Sequence, residues 1–158
     1  MAGAVKSLAR GFTLVELLVV MAIAAILLGI AVPSFKSFTS AQRVKTATGD
    51  FVNAAVLARS EAIKRSADVG LYAEAGGWKS GWNIKKGTDV LGTQAAFQGL
   101  DMTNANGVTQ FVYGKDGRMK EPTTASDKWL QVVGADNKPR CVSFDLSGLP
   151  RIRMGSCS

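Results

Sequence analysis

A single carboxylate stands inside hydrocarbon near the start of this chain. Phe12-Thr13-Leu14-Val15-Glu16 opens a run that is otherwise apolar to Val32. A charge at such depth costs roughly 2.5–3.5 kcal/mol on insertion scales and marks a function or a specific partner. The chemistry open to Glu16 is ion pairing, so it calls for a cation close by. A second set of able residues gathers near the other end, where Lys138, Arg140, Arg151 and Arg153 fall within sixteen positions. On a strand, alternation puts Arg151 and Arg153 on one face, a basic strip open to solvent, to another subunit or to an anionic partner. Cys141 and Cys157 complete the inventory.

What is missing narrows the chemistry. The chain has no histidine, so histidine triads and imidazole metal sites are unavailable. Two cysteines alone make a weak metal site. There is no Gly-x-x-x-x-Gly-Lys-Ser/Thr loop and no Gly-x-Ser-x-Gly elbow, and the carboxylates are scattered. The expectation is therefore a non-enzyme with no metal, no cofactor and no small-molecule substrate. A formal net charge of +7 suits solubility and also permits contact with DNA or anionic surfaces.

The elements that must position these residues follow from periodicity. Phe12 to Val32 is long enough as a helix to cross a hydrocarbon core of ~30 Å at 1.5 Å per residue. The short segment before it carries Lys6 and Arg10 and no acid, so positive charge keeps that side cytoplasmic. Bulky Phe35 and charged Lys36 follow the run, leaving no small-residue cleavage site there, and the helix is read as retained. The remainder then lies across the membrane in an oxidising compartment, where Cys141 and Cys157 are expected to be bonded. A loop of about 15 residues closed this way stabilises by ~3 kcal/mol in the chain-entropy model.

Pro33 removes a helical hydrogen bond and predicts a kink. From Phe35 to about Ala67, Phe38, Val44, Phe51, Ala55, Ala58, Ala62 and Ile63 recur mostly at three- and four-residue intervals, the pattern of an amphipathic helix with one inward stripe. Glu61 and Arg65 support it at i,i+4 spacing. Beyond lie short β-rich pieces bounded by turns: 69–74, 78–85, 108–113, 129–133 and 140–146. The fold class expected is α+β: a long N-terminal helix, transmembrane then amphipathic, packed on a mostly antiparallel β-sheet. Trp78 and Trp82 would face one side of a strand as core.

Gly11-Phe12-Thr13-Leu14-Val15-Glu16-Leu17-Leu18-Val19-Val20 resembles the processing motif of type IV prepilins and type II secretion pseudopilins. Ala58-Arg59-Ser60-Glu61-Ala62 and the Trp-x-x-Gly-Trp segment Trp78 to Trp82 are similar to those of GspH/FimT/FimU-type minor pilins. The resemblance implies a pilin-like fold and cleavage by a prepilin peptidase between Gly11 and Phe12, with methylation of the new amine. That amine supplies the missing cation for Glu16, within the chain or on a neighbouring subunit. It implies four segments: a leader at 1–11, a membrane and filament-core helix at 12–32, its amphipathic continuation at 33–67, and a β-rich domain at 68–158.

By the same resemblance the chain is a single-pass inner-membrane protein with a periplasmic domain, later part of an extracellular pilus. Its partners are major and minor pilins. The function so implied is that of a minor pilin at or near a type IV pilus tip, acting in assembly. Two further readings stand beside it. FimT-type pilins carry a Gly-Arg-x-Arg motif that contacts double-stranded DNA; here Pro150 replaces the Gly, so only Arg151 and Arg153 transfer, with Lys138 and Arg140 nearby, and a solvated face or subunit contact explains the same residues. A GspH-like pseudopilin of type II secretion is the other.

Overall fold

The computed structural model describes residues 12–124, 127–145 and 147–157. One helix, α1, runs Leu14–Arg65, and the chain divides into two compact units between Lys36 and Ser37. In the first unit the large apolar side chains are exposed on every side of the helix, which no soluble surface helix tolerates. By length and composition this stretch can cross a membrane. Pro33 lies inside α1, which neither ends nor changes type there.

In the second unit α1 buries one stripe, including Val44, Ala47, Phe51, Ala55, Ala58 and Ala62. The alanines let the sheet backbone approach the helix closely. Phe38 and Ile63, expected in that stripe, are exposed. Phe38 precedes the buried Ser40 by two positions, ~200° around the helix, and so points away from the core. The helix stops in a Schellman arrangement: Ser66 takes a φ of 48°, its N–H donates to the Ile63 carbonyl, and the Ala67 N–H donates to that of Ala62.

The chain then enters two antiparallel sheets rather than the one expected. Strands β1 (Val69–Glu74), β2 (Gly77–Lys86), β3 (Asp89–Gln94), β5 (Gln110–Tyr113) and β6 (Met119–Glu121) form a five-stranded sheet in the order β3-β2-β1-β5-β6. Strands β4 (Leu100–Thr103), β7 (Trp129–Gly134), β8 (Arg140–Phe144) and β9 (Pro150–Met154) form a four-stranded sheet in the order β4-β7-β8-β9. The sheets adjoin where β2 meets β4. β8 ends at Phe144, and Leu146, placed in that strand by the sequence pattern, lies outside the described residues.

Phe51 joins the three layers. Its ring meets those of Trp78 and Trp82 edge-on at 5.4 Å each, Phe111 at 5.6 Å and Phe144 at 6.2 Å. The first three rings come from the larger sheet and the last from the smaller. Both tryptophans are thus core, as their spacing suggests, and Trp78 Nε1 donates to the Val108 carbonyl at 2.7 Å. Gly81 between them has a φ of 105°, and a Cβ there would sit 2.2 Å from the Gln94 carbonyl oxygen. Only glycine fits that approach of β2 to β3.

Candidate functional site

Glu16 is already engaged within its own chain. Thr13 precedes the first helical residue, and its Oγ1 accepts from the Glu16 N–H at 3.2 Å. Glu16 Oε2 in return accepts from the Thr13 N–H at 3.1 Å and from the Thr13 hydroxyl at 3.2 Å. This is a capping box, in which two orphan donors at a helix start are satisfied reciprocally. The helix dipole also favours a carboxylate at that end. Both bonds from Thr13 end on Oε2, and among the described residues Oε1 keeps its lone pairs for a further donor. Thr-x-x-Glu before an apolar run is the sequence signal of this box, and it gives Thr13 a part beside Glu16 that the requirement for a cation does not reveal. Phe12 immediately precedes the cap; Gly11 lies outside the described residues.

At the other end the four basic residues do not form one cluster. In β9, Arg153 lies opposite Cys141 and Arg151 opposite Ser143. Both arginines are exposed on the outer face of the smaller sheet, on its edge strand. Gln131 and the half-buried Trp129 share that face, paired with Cys141 and Ser143 in turn. Arg140 lies opposite Met154 and the buried Val132, on the face that packs toward α1. Lys138, in the loop before β8, accompanies it beside Ala41 and Val44. The one-residue offset between 140 and 141 sends them to opposite sides.

The turn that presents Arg151 is tightly built. Asp145 Oδ1 accepts from the Ser147 N–H at 2.9 Å, the Ser147 hydroxyl at 2.6 Å and the Leu149 N–H at 2.9 Å. Asp145 Oδ2 lies 3.6 Å from Arg151 Nη2. The Ser147 hydroxyl, then the Leu149 amide, hold the Asp145 carboxyl below its ordinary range. From beneath, the buried Tyr113 hydroxyl donates to the Gly148 carbonyl at 2.8 Å, and burial pushes the Tyr113 phenol well above its usual range. Gly148 has a φ of 79°, and a Cβ there would meet Tyr113 at 2.9 Å.

Cys141 and Cys157 are bonded, with Cα atoms 5.1 Å apart. The Cys157 N–H donates to Gln131 Oε1 at 3.0 Å, so the chain past β9 is fastened across two strands. The Ala58-to-Ala62 segment also acquires a physical reading. Ala58 and Ala62 are buried, Arg59 Nε donates to the Gly117 carbonyl at 2.8 Å, and Glu61 pairs with Arg65 and Lys64. Among the described residues no group of three or more Cys, Asp or Glu side chains could hold a metal ion.

Comparison with known proteins follows the same two ends. The prokaryotic N-terminal methylation motif matches residues 6–32, and the family model for type II transport protein GspH matches residues 47–148. None of the curated proteins compared matches the chain. Two crystal forms of the type IV minor pilin FimU from Pseudomonas aeruginosa strain PAO1 share its fold. One aligns with a TM-score of 0.57 at 20% identity, over 75% of this chain and 92% of that one. The other aligns at 0.54 and 19%, over 71% and 92%. The apolar helix and the methylation motif fit an inner-membrane-anchored pilin with its globular domain outside the membrane. With its GspH model spanning most of the domain and a methylation motif on its first helix, the chain belongs to the GspH family of pilin-like subunits.

Proposed function

We propose that this protein is a minor pilin of a type IV pilus, a structural, non-catalytic subunit at or near the filament tip that acts in pilus assembly. The observation that carries it is the pairing of a methylation motif on a helix apolar all round with a domain sharing the fold of a type IV minor pilin. A prepilin peptidase cuts between Gly11 and Phe12, and the Phe12 amine becomes methylated. That amine, or a neighbouring subunit's, pairs with Glu16 through the oxygen the capping box leaves open, in surroundings where low dielectric strengthens the attraction. Pro33, which removes the helical bond to Gly29, is where the helix loosens in the filament. The same scaffold serves a type II secretion pseudopilus in the second reading, which the family model's description favours.

Glu16→Gln tests this. The side chain keeps an acceptor for the Thr13 cap but loses its charge, so membrane insertion should persist while incorporation into filaments falls at least tenfold. Wild-type incorporation would defeat the ion-pair role. Intact mass should show a chain beginning at Phe12 with one added methyl. Exposure of Arg151 and Arg153 on one face favours double-stranded DNA as an added ligand. Engaging few phosphates, it would be weak and strongly salt-dependent. Gel shifts of the detergent-solubilised chain, with and without Arg151→Ala/Arg153→Ala, decide that point; no shift at low salt removes it.

A further inference from the structure

Lys138 and Arg140, set apart from β9's outer face, border a cavity of about 450 Å³. Its walls include Ala41 and Val44 of α1, Pro139 and the exposed Met154. Lys45, exposed and one helical turn beyond Ala41, adds a third cation to this side of the helix. None of the three has a carboxylate within ion-pair distance among the described residues. The cavity also contains one acid with an unmet need. Asp136 Oδ1 accepts from the Ser40 hydroxyl at 2.9 Å, and the Asp136 N–H reaches Ser40 Oγ at 3.3 Å. Asp136 Oδ2 is buried with no hydrogen-bond partner among the described residues.

Three cations with no carboxylate partner among the described residues, set beside apolar walls, fit a particular chemistry: a phosphate diester attached to hydrocarbon. We propose that this face of the domain docks on anionic phospholipid of the phosphatidylglycerol type. Lys45, Lys138 and Arg140 meet the phosphate, and Met154 and Pro139 meet glycerol and upper acyl carbons. The proposal rests on the inner-membrane anchoring of the first helix. Ala41 follows Val32, the end of the apolar run, by nine residues, so a first helix held in the membrane keeps this pole tethered to the bilayer by a short stretch of chain. Exposed Phe38 carries apolar surface to within one turn of Ala41. An anionic membrane surface attracts basic side chains held within about a Debye length of it, ~8 Å at physiological salt. A pilin waiting in the bilayer would thereby hold its domain down, and entry into a filament would release it.

The test uses the full chain in nanodiscs of neutral phosphatidylcholine or of phosphatidylcholine with about one-third phosphatidylglycerol. Hydrogen exchange is read over residues 134–141 and 154–157. Exchange there should be about tenfold slower in the anionic discs and return to the neutral-disc rate in Lys45→Gln/Lys138→Gln/Arg140→Gln. Strand β5, in the core, reports that the variant is folded. Equal exchange in the two discs, or protection surviving the triple substitution, overturns the proposal. So does equal protection by soluble glycerol phosphate in neutral discs, which would identify a small-anion site instead. Failure of the chain to co-elute with the discs would count against anchoring itself, a separate result.

Discussion

The two halves of α1 use one helical backbone to opposite ends. In the first, Met21, Ile26 and Ile30 are each more than 60% exposed, while in the second Phe51, Ala55 and Ala58 are at 0%. Composition begins to tell them apart, since the run to Val32 carries Glu16 as its one charge while Arg43, Lys45, Asp50, Arg59, Glu61, Lys64 and Arg65 punctuate the second half. Arrangement separates them: one is apolar around its whole circumference and needs an external apolar solvent, and the other confines its apolar residues to a stripe that two sheets cover. The first half stores its burial for a bilayer or a filament core, and the second spends it on folding. A subunit that moves from membrane to filament needs this division, because the domain must stay folded while the helix changes its surroundings.

The strongest way to break the comparison is Phe51→Ala. Removing the ring that touches Trp78, Trp82, Phe111 and Phe144 leaves a cavity where helix and both sheets meet, at a cost of about 3–5 kcal/mol. Denaturation followed by tryptophan fluorescence should show the domain destabilised by that amount, while alkaline extraction still finds the chain in the membrane. Coupled loss of insertion and folding would show that the halves are not independent. Next in size is Cys141→Ala/Cys157→Ala, expected to cost ~3 kcal/mol by freeing the end of the chain. A midpoint unchanged in denaturant would mean that the Cys157–Gln131 contact and the β8–β9 pairing suffice without the bond.

The same contrast governs how much was legible in the sequence. The continuous apolar run gives the first half of α1 outright, because nothing but an apolar surrounding suits it. In the domain, the five β-rich segments read from alternation are β1, β2, β5, β7 and β8, and every one is an interior strand. The segments overlooked, β3, β4 and β6, are all edges. Interior strands are hemmed by neighbours and by the helix, which imposes β-branched and aromatic residues at alternate positions. Edge strands such as Asp89–Gln94 or Met119–Glu121 mix charged, polar and apolar residues, as edges that resist aggregation tend to do. Without its edges a sheet shows no boundary, so two sheets read as one. β9, the fourth edge, is visible through Arg151 and Arg153 alone. The sites divide likewise: the Thr13–Glu16 box is local and carries its own signature, whereas Asp136 meeting Ser40 across ninety-six positions has none.

The smallest expected effect lies at the exposed turn before β9, and it sharpens the comparison by testing a part that neither the core nor the membrane holds. The Asp145 carboxyl has its pKa lowered, chiefly by the Ser147 hydroxyl and then by the Leu149 amide. A carboxylate with a lowered folded-state pKa stabilises at pH above its ordinary value of 3.8 and loses that contribution as pH falls through the folded-state value. The Ser147 and Leu149 amide proton resonances should therefore titrate together with a midpoint below 3.8, while those of β1 stay fixed. Asp145→Asn retains an acceptor for the turn and abolishes the titration. It also frees Arg151 from the one carboxylate that pairs with it among the described residues, 3.6 Å away. If the turn is what presents Arg151, the variant should keep the β8–β9 pairing and alter only contacts made by that guanidinium. A collapse of the β9 amide pattern in Asp145→Asn would show instead that the charge, and not the hydrogen-bonded geometry, holds the edge strand in place.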